Sequence, residues 1–241
     1  MRPGDHVLEI GAGTGRFTFD LARMGATVDV TDVSQVQLDL HRQHADRTAA
    51  EAAVASRSLL DICDTTRYDD ATFDVVLTFG GPLSYAFEQT EDAFRGLLRI
   101  TKPGGYVVAS MMSWLGSWRH FLAAAMEDER TVGEDAFDLM LTTDDLRHSQ
   151  TTHVCQMFRS RNLSQLVTAC NGEMAAMSSS NWASLNDPDV LNELEVDVDR
   201  WERFLQHEVA ACAEPGALEG GTHSLCRTAR VNRHSFALPS S

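Results

Sequence analysis

Val7-Leu8-Glu9-Ile10-Gly11-Ala12-Gly13-Thr14-Gly15-Arg16 runs an apolar segment into three glycines set at every second position. An amphipathic stretch follows at once: Phe17, Leu21 and Met24 fall at i, i+4 and i+7, so one helical face is apolar. Gly25 stands where a helix C′ glycine would. The spacing predicts strand, tight turn, helix. The glycines let the main chain bend sharply and let a ligand approach it without a Cβ in the way. The helix N-terminus contributes free N–H groups and partial positive charge.

Two chemistries use such a turn. A dinucleotide fold requires G-x-G-x-x-G, and its third glycine would fall on Arg16 here. Glycines at 11, 13 and 15, with Glu9 two residues ahead, make E-x-G-x-G-x-G instead. This resembles motif I of the class I S-adenosylmethionine (SAM)-dependent methyltransferases. SAM carries an amino-carboxylate and a sulfonium in place of phosphates, and an acidic residue near its ammonium is electrostatically favourable. A glycine triplet alone also describes an ordinary turn, so the remainder of the chain decides.

Residues 26–31 read as a second strand closed by Asp32, 21 residues after Gly11. At that distance a nucleotide-binding fold places an acid to accept hydrogen bonds from ribose hydroxyls. Val33 follows it, and Ser34-x-x-Gln37 offers a capping box for a helix expected to run to about Glu51. A third strand is expected over 53–60, followed by Asp61-Ile62-Cys63-Asp64. The resemblance implies that Asp61 reaches the adenine amino group with Ile62 against the ring; Asp64 competes with Asp61 by proximity.

Phe73–Phe79 reads as a buried strand leading into Gly80-Gly81-Pro82-Leu83-Ser84-Tyr85. Methylases of base amino groups carry [ND]-P-P-[YFW] at this place, so Gly80-Gly81-Pro82-Leu83 points away from nucleic acid and toward small-molecule enzymes of the family. The resemblance implies Glu9, Gly11, Ala12, Gly13, Gly15, Asp32, Val33, Asp61, Ile62 and Phe79 as the SAM-binding set. Tyr85 is a candidate contact to the methyl acceptor, with a packing role the alternative. A helix over 90–100 has Phe94, Leu97 and Leu98 on one face; Lys102-Pro103-Gly104-Gly105 is expected to stop it and to feed a fifth strand over 106–110. Helix, K-P-G-G, apolar strand recurs in this family.

Strands alternating with helices predict an α/β fold, a doubly wound, mostly parallel sheet. Beyond residue 112 the pattern implies a helix over 114–126, a charged loop over 127–134, and a strand over 149–158 containing His153. It then implies a helix from Ser160, a sixth strand over 173–179, a helix capped by Asp199, and an antiparallel closing strand over 222–230. Seven strands with the last one antiparallel is what the resemblance implies. The expected organisation is a SAM-binding Rossmann-like core over 1–112, an inserted cap over 113–150, the rest of the sheet with a second helical insertion over 151–230, and a tail over 231–241. A helical cap built from inserted segments would cover the acceptor, because ligands of such sheets sit at the carboxyl ends of the strands.

The chain has 241 residues and a formal net charge of −15, with a pI near 4.9. No basic patch is evident, which argues against nucleic acid and against anionic membrane surfaces. No apolar run reaches the ~20 residues of a membrane span. Five cysteines, none in C-x-x-C spacing, predict free thiols and a cytoplasmic setting, with Cys170 and Cys212 in core packing. Met1 lies almost against the first strand, which leaves little room for a targeting segment. No metal-ligand spacing is visible.

His120, His148, His153 and His223 are candidate general bases by location, and His223 with Tyr85 is placed first for catalysis. The expected activity is transfer of a methyl group from SAM, leaving S-adenosylhomocysteine, to O, N or C of a small metabolite or natural-product intermediate, in a possible homodimer. The alternatives are an NAD(P)-dependent oxidoreductase and a SAM-binding protein of the same fold without methyl transfer.

Overall fold

The computed structural model describes residues 1–48, 50–149 and 154–230. The expectations for His153 and for the 231–241 tail lie outside them. In chain order the elements begin β1 (His6–Ile10), α1 (Arg16–Arg23), β2 (Thr27–Asp32), α2 (Gln35–Thr48), β3 (Val54–Leu59), β4 (Phe73–Thr78), α3 (Thr90–Ile100) and β5 (Thr101–Met112). They continue α4 (Trp114–His120), α5 (Leu122–Val132), α6 (Glu134–Thr143), α7 (Ser160–Ala169), β6 (Gly172–Ser179), α8 (Pro188–Glu195), α9 (Val198–Cys212) and β7 (His223–Arg230). The strands form one seven-stranded sheet in the order β3-β2-β1-β4-β5-β7-β6. It is mostly parallel with β7 antiparallel, so the expected α/β doubly wound sheet is the observed one.

The chain divides into two compact units. Of the described residues, the first takes those within 1–109 and 166–175 together with 227–230; the second takes 110–149, 154–165 and 176–226. In the first, β1 pairs in parallel with β2 on one side and β4 on the other. Val7, Val28, Val30 and Val75 alternate inward and pack with Leu21 of α1 and Leu38 of α2. This buried face is what holds the β1–α1 turn at the strands' carboxyl ends. On α3, Phe94 and Leu97 are fully buried, as their helical spacing predicts.

Several boundaries differ from the sequence reading. Lys102–Gly105 does not separate α3 from a strand: β5 starts at Thr101, directly after the helix. The β4 register pairs Phe73 with Thr101 and then Val75 with Tyr106, so these four residues are an excursion within β5. A Cβ on Gly105 would lie 2.4 Å from the Asp74 carbonyl oxygen, and Lys102 Nζ meets Asp74 Oδ2 at 2.8 Å. Backbone proximity thus requires the glycine, and the ion pair fastens the excursion.

In the second unit the single helix expected over 114–126 is two. Phe121, at φ −100° and ψ 28°, breaks it, and α5 then continues through the presumed charged loop to Val132. Its Ala, Met, Glu and Arg content favours helix, and this outweighs charge as a loop signal. Gly133, at φ 87°, ends α5, and α6 follows unforeseen. The strand expected over 149–158 reduces, among the described residues, to isolated bridges at Gln156 and Phe158. The cap of α9 is Asp197, whose carboxylate accepts from the Arg200 N–H at 3.1 Å; Asp199 sits inside the first turn. Trp114, Cys155 and Met157 form this unit's own core with Met112 and Leu146 beside it. No disulfide joins any of the five cysteines, and Cys170 and Cys212 are buried as expected. No described helix is long and apolar enough to cross a membrane.

Truncating Phe94, which is 0% exposed, to alanine should lower unfolding stability by about 3–5 kcal/mol. Urea denaturation followed by circular dichroism checks it.

Candidate functional site

The turn after β1 is held from two directions. The Gly11 and Ala12 N–H groups both donate to the Thr31 carbonyl, at 2.9 and 3.0 Å, so the chain leaves β1 still fastened to β2. The Gly13 N–H then donates to Asp32 Oδ2 at 2.9 Å, and the Ser34 N–H to Asp32 Oδ1 at 2.9 Å. Asp32 is 7% exposed. One carboxylate therefore fixes both the glycine turn and the start of α2, where Ser34 Oγ caps the Gln37 N–H at 3.4 Å. Each carboxylate oxygen has a second lone pair beyond these bonds.

The three glycines serve different ends. A Cβ on Gly11 would come within 2.6 Å of Pro82, and one on Gly15 within 2.9 Å of the His41 ring. Those two admit close packing. Gly13, at φ 55°, has only Gln37 Oε1 near, at 3.9 Å, so its bare face opens on space. Gly15, at φ 92°, is the residue that precedes α1, and no side chain caps that helix. Its first N–H groups are thus left for solvent or a ligand.

Beneath the turn runs a chain of polar side chains that the sequence reading missed. Arg57 Nε donates to His41 Nδ1 at 3.0 Å, which leaves the neutral ring's proton on Nε2. That atom meets Thr18 Oγ1 at 2.7 Å, and the Thr18 hydroxyl donates to Glu9 Oε2. Glu51 closes the other end through a bidentate ion pair with Arg57. Burial drives the His41 pKa down to about 4, with the Arg57 charge adding to the effect. His41 is 0% exposed; in a polar, alanine-rich helix nothing but its contact with Gly15 distinguishes it.

Glu9 is 2% exposed, and its Oε1 has no hydrogen-bond partner among the described residues. Burial raises its pKa to about 7, against the lowering effect of Thr18. A buried acceptor left open beside a glycine turn fits a ligand that brings a cation, and Asp32 fits one that brings hydroxyls. Both features suit SAM, with its ammonium and its ribose.

The other candidates are dispersed. Val33, beside Asp32, is 72% exposed, whereas Ile62 is 5% exposed and packs inward. Asp61 is exposed and accepts from the Cys63 N–H at 2.9 Å; Asp64 is engaged by Thr66. Phe79 meets Phe17 edge-on at 4.8 Å between centroids. Tyr85, in the first unit, is 46% exposed.

His223 belongs to the second unit. There a cavity of about 550 Å³ is walled by Trp114, Trp118, Phe121, Phe137, Met140 and Met157, with His120 and His223 also on its lining. That volume lies within the range of small-molecule sites. Thr222 Oγ1 sits 3.2 Å from His223 Nδ1 and accepts from Asn181 Nδ2 at 3.3 Å, so the ring is oriented by its neighbours. His120 Nδ1 lies 3.3 Å from Asn186 Oδ1. His148 falls in a short 3-10 turn, Leu146–His148. Among the described residues no group of His, Cys, Asp or Glu is placed to hold a metal.

Residues 7–105 match the family model described as a methyltransferase domain. A cypemycin N-terminal methyltransferase from Streptomyces sp is 40% identical over 105 residues, covering 42% of this chain and 40% of the relative. The ubiquinone biosynthesis O-methyltransferase of Alkalilimnicola ehrlichii is 28% identical over 110 residues, 46% of this chain and 42% of the relative. The chain thus spans about two fifths of the length of these curated relatives. Among solved structures, the [4+2]-cyclase SpnF superposes with a TM-score of 0.58 at 18% identity, covering 95% of this chain and 76% of that one; such a likeness establishes the fold alone.

Because Glu9 keeps its proton more tightly when folded, its ionisation opposes folding as pH rises from about 4.5 to about 7. Glu9→Gln should remove that loss. The variant is expected to gain stability over the wild type between pH 5 and pH 8, by on the order of 3 kcal/mol at most. Urea titrations at the two pH values measure the difference.

Proposed function

We propose that this chain, whose residues 7–105 match a methyltransferase domain, is a class I SAM-dependent enzyme that transfers the methyl group of SAM to O, N or C of a small metabolite or natural-product intermediate. The observation that carries the reading is the bond from Gly13 N–H to Asp32 Oδ2. It joins a main-chain surface without a side chain to a carboxylate at the end of the neighbouring strand.

The spare lone pairs of Asp32 accept from the ribose hydroxyls. Glu9 Oε1 receives the ammonium, and the ion pair favours the carboxylate form that burial alone opposes. Gly11, Ala12, Gly13 and Gly15 form the floor against which the methionine part lies. Val33 and Phe79 supply apolar surface for the adenine, and Asp61 accepts from its amino group. When bound, SAM supplies a methyl group on a sulfonium, an electrophile that needs no further activation. The protein's own share is to hold the acceptor in line and to exclude water.

The cavity of the second unit receives the acceptor. For a hydroxyl or amine, His223 takes the departing proton at a ring nitrogen while Thr222 orients the ring through Nδ1. The absence of lysine and arginine among the described residues lining that cavity supports a small molecule over a nucleic acid.

Isothermal titration tests the donor assignment. S-adenosylhomocysteine should bind at micromolar concentration, NADH should not, and Asp32→Ala should weaken S-adenosylhomocysteine by at least ~10-fold, the loss of a charge-assisted hydrogen bond. Tight NADH binding with none of S-adenosylhomocysteine would contradict the proposal.

A further inference from the structure

We infer that the cavity of the second unit is built for a neutral, mainly apolar ring system carrying at least one carbonyl or hydroxyl oxygen, and that the Trp118 indole N–H is the donor to that oxygen. The inference rests on the reading above that this cavity holds the methyl acceptor, and it adds the acceptor's charge class and one specificity-determining contact.

Three observations carry it. First, Trp118 lines the cavity, and its Nε1 is buried with no hydrogen-bond partner among the described residues. A buried donor left unpaired is costly, and the usual resolution is a partner the protein does not itself provide. Trp118 is otherwise well placed as a wall: its ring stacks with Trp114 at 6.3 Å and 18° between planes. An indole N–H donates and cannot accept, so the group that satisfies it is an oxygen or another lone-pair atom on the ligand.

Second, among the described residues no lysine or arginine lines the cavity. Three arginines of the same unit are engaged elsewhere: Arg119 donates to the Gly220 carbonyl at 2.6 Å, Arg147 pairs with Asp145 and Arg159 with Asp144. A carboxylate or phosphate would lose its hydration here without a counter-charge, which proteins avoid. Third, the lining's carboxylate, Asp128, is partly exposed, where water screens it. It offers little return for burying an ammonium. Aromatic and methionine walls, by contrast, suit a flat ring, and thioether groups adapt to its edges.

Four naphthalene probes of one shape separate the cases, measured by equilibrium dialysis at pH 7 on the full chain. They are 2-naphthol, 2-naphthoate, 2-naphthylmethylammonium and naphthalene itself. The expected order puts 2-naphthol first, at least ~10-fold tighter than either charged probe. Trp118→Phe keeps an aromatic wall, smaller than the indole, and removes the N–H. It should weaken 2-naphthol about fivefold or more while leaving naphthalene within twofold, and the naphthalene result also shows that the cavity is still formed. Equal loss of both probes would reduce Trp118 to a wall and overturn its assignment as donor. Tighter binding of 2-naphthoate or of the ammonium probe would overturn the charge class. Failure of every probe in a chain that still binds S-adenosylhomocysteine would overturn the cavity assignment while leaving the donor reading standing. Loss of S-adenosylhomocysteine binding in the wild type is the distinct failure of the donor reading.

Discussion

A single carboxylate, that of Asp32, organises the ligand-facing end of the first unit. It takes the Gly13 N–H on one oxygen and the Ser34 N–H on the other. The turn after β1 and the start of α2 are therefore positioned by the same group. Without it Gly13, free of Cβ and at a positive φ, would have many conformations open to it, and ordering them would fall to the ligand. Holding the turn in advance lowers that entropic cost. The parallel pairing of β1 with β2 brings the two strand ends together in the first place.

The polar chain Glu9–Thr18–His41–Arg57–Glu51 explains why the floor of the turn is rigid. Each member is fastened to the next, and it ends at the Arg57–Glu51 ion pair. His41 has two tasks: it sets the direction of the Thr18 hydroxyl, and it fills the space that a side chain at position 15 would occupy. A partly satisfied network is ordinarily a liability in a core. Here the unsatisfied atom is Glu9 Oε1, and that is the atom a bound ammonium would meet.

Much of the first unit was legible in the sequence because its signals are local. The glycines, the acid closing β2 and the Phe94–Leu97–Leu98 face each state a backbone or burial requirement within a few residues. The paired role of Asp32 follows from strand order and was accessible too. His41 was not, since its function depends on Gly15 and Arg57, which approach it only in three dimensions. The second unit was harder: α5 was hidden because charged residues that favour helix were read as loop, and the break at Phe121 has no glycine or proline to announce it. The apolar pocket takes Met112, Trp114 and Trp118 from residues 111–126. The lack of lysine and arginine on its lining, and the N–H of Trp118 without a partner among the described residues, emerge only when separate segments between Met112 and His223 are brought together.

The central claim is that Asp32 holds the glycine turn ready before any ligand arrives. The Gly13 amide reports it directly, by hydrogen exchange in two-dimensional NMR of the free protein and after S-adenosylhomocysteine is added. The account predicts that this amide is already protected in the free protein, and that adding S-adenosylhomocysteine shifts its resonance without creating the protection. An amide that exchanges freely until ligand is present would contradict it, since the turn would then be ordered by what binds there.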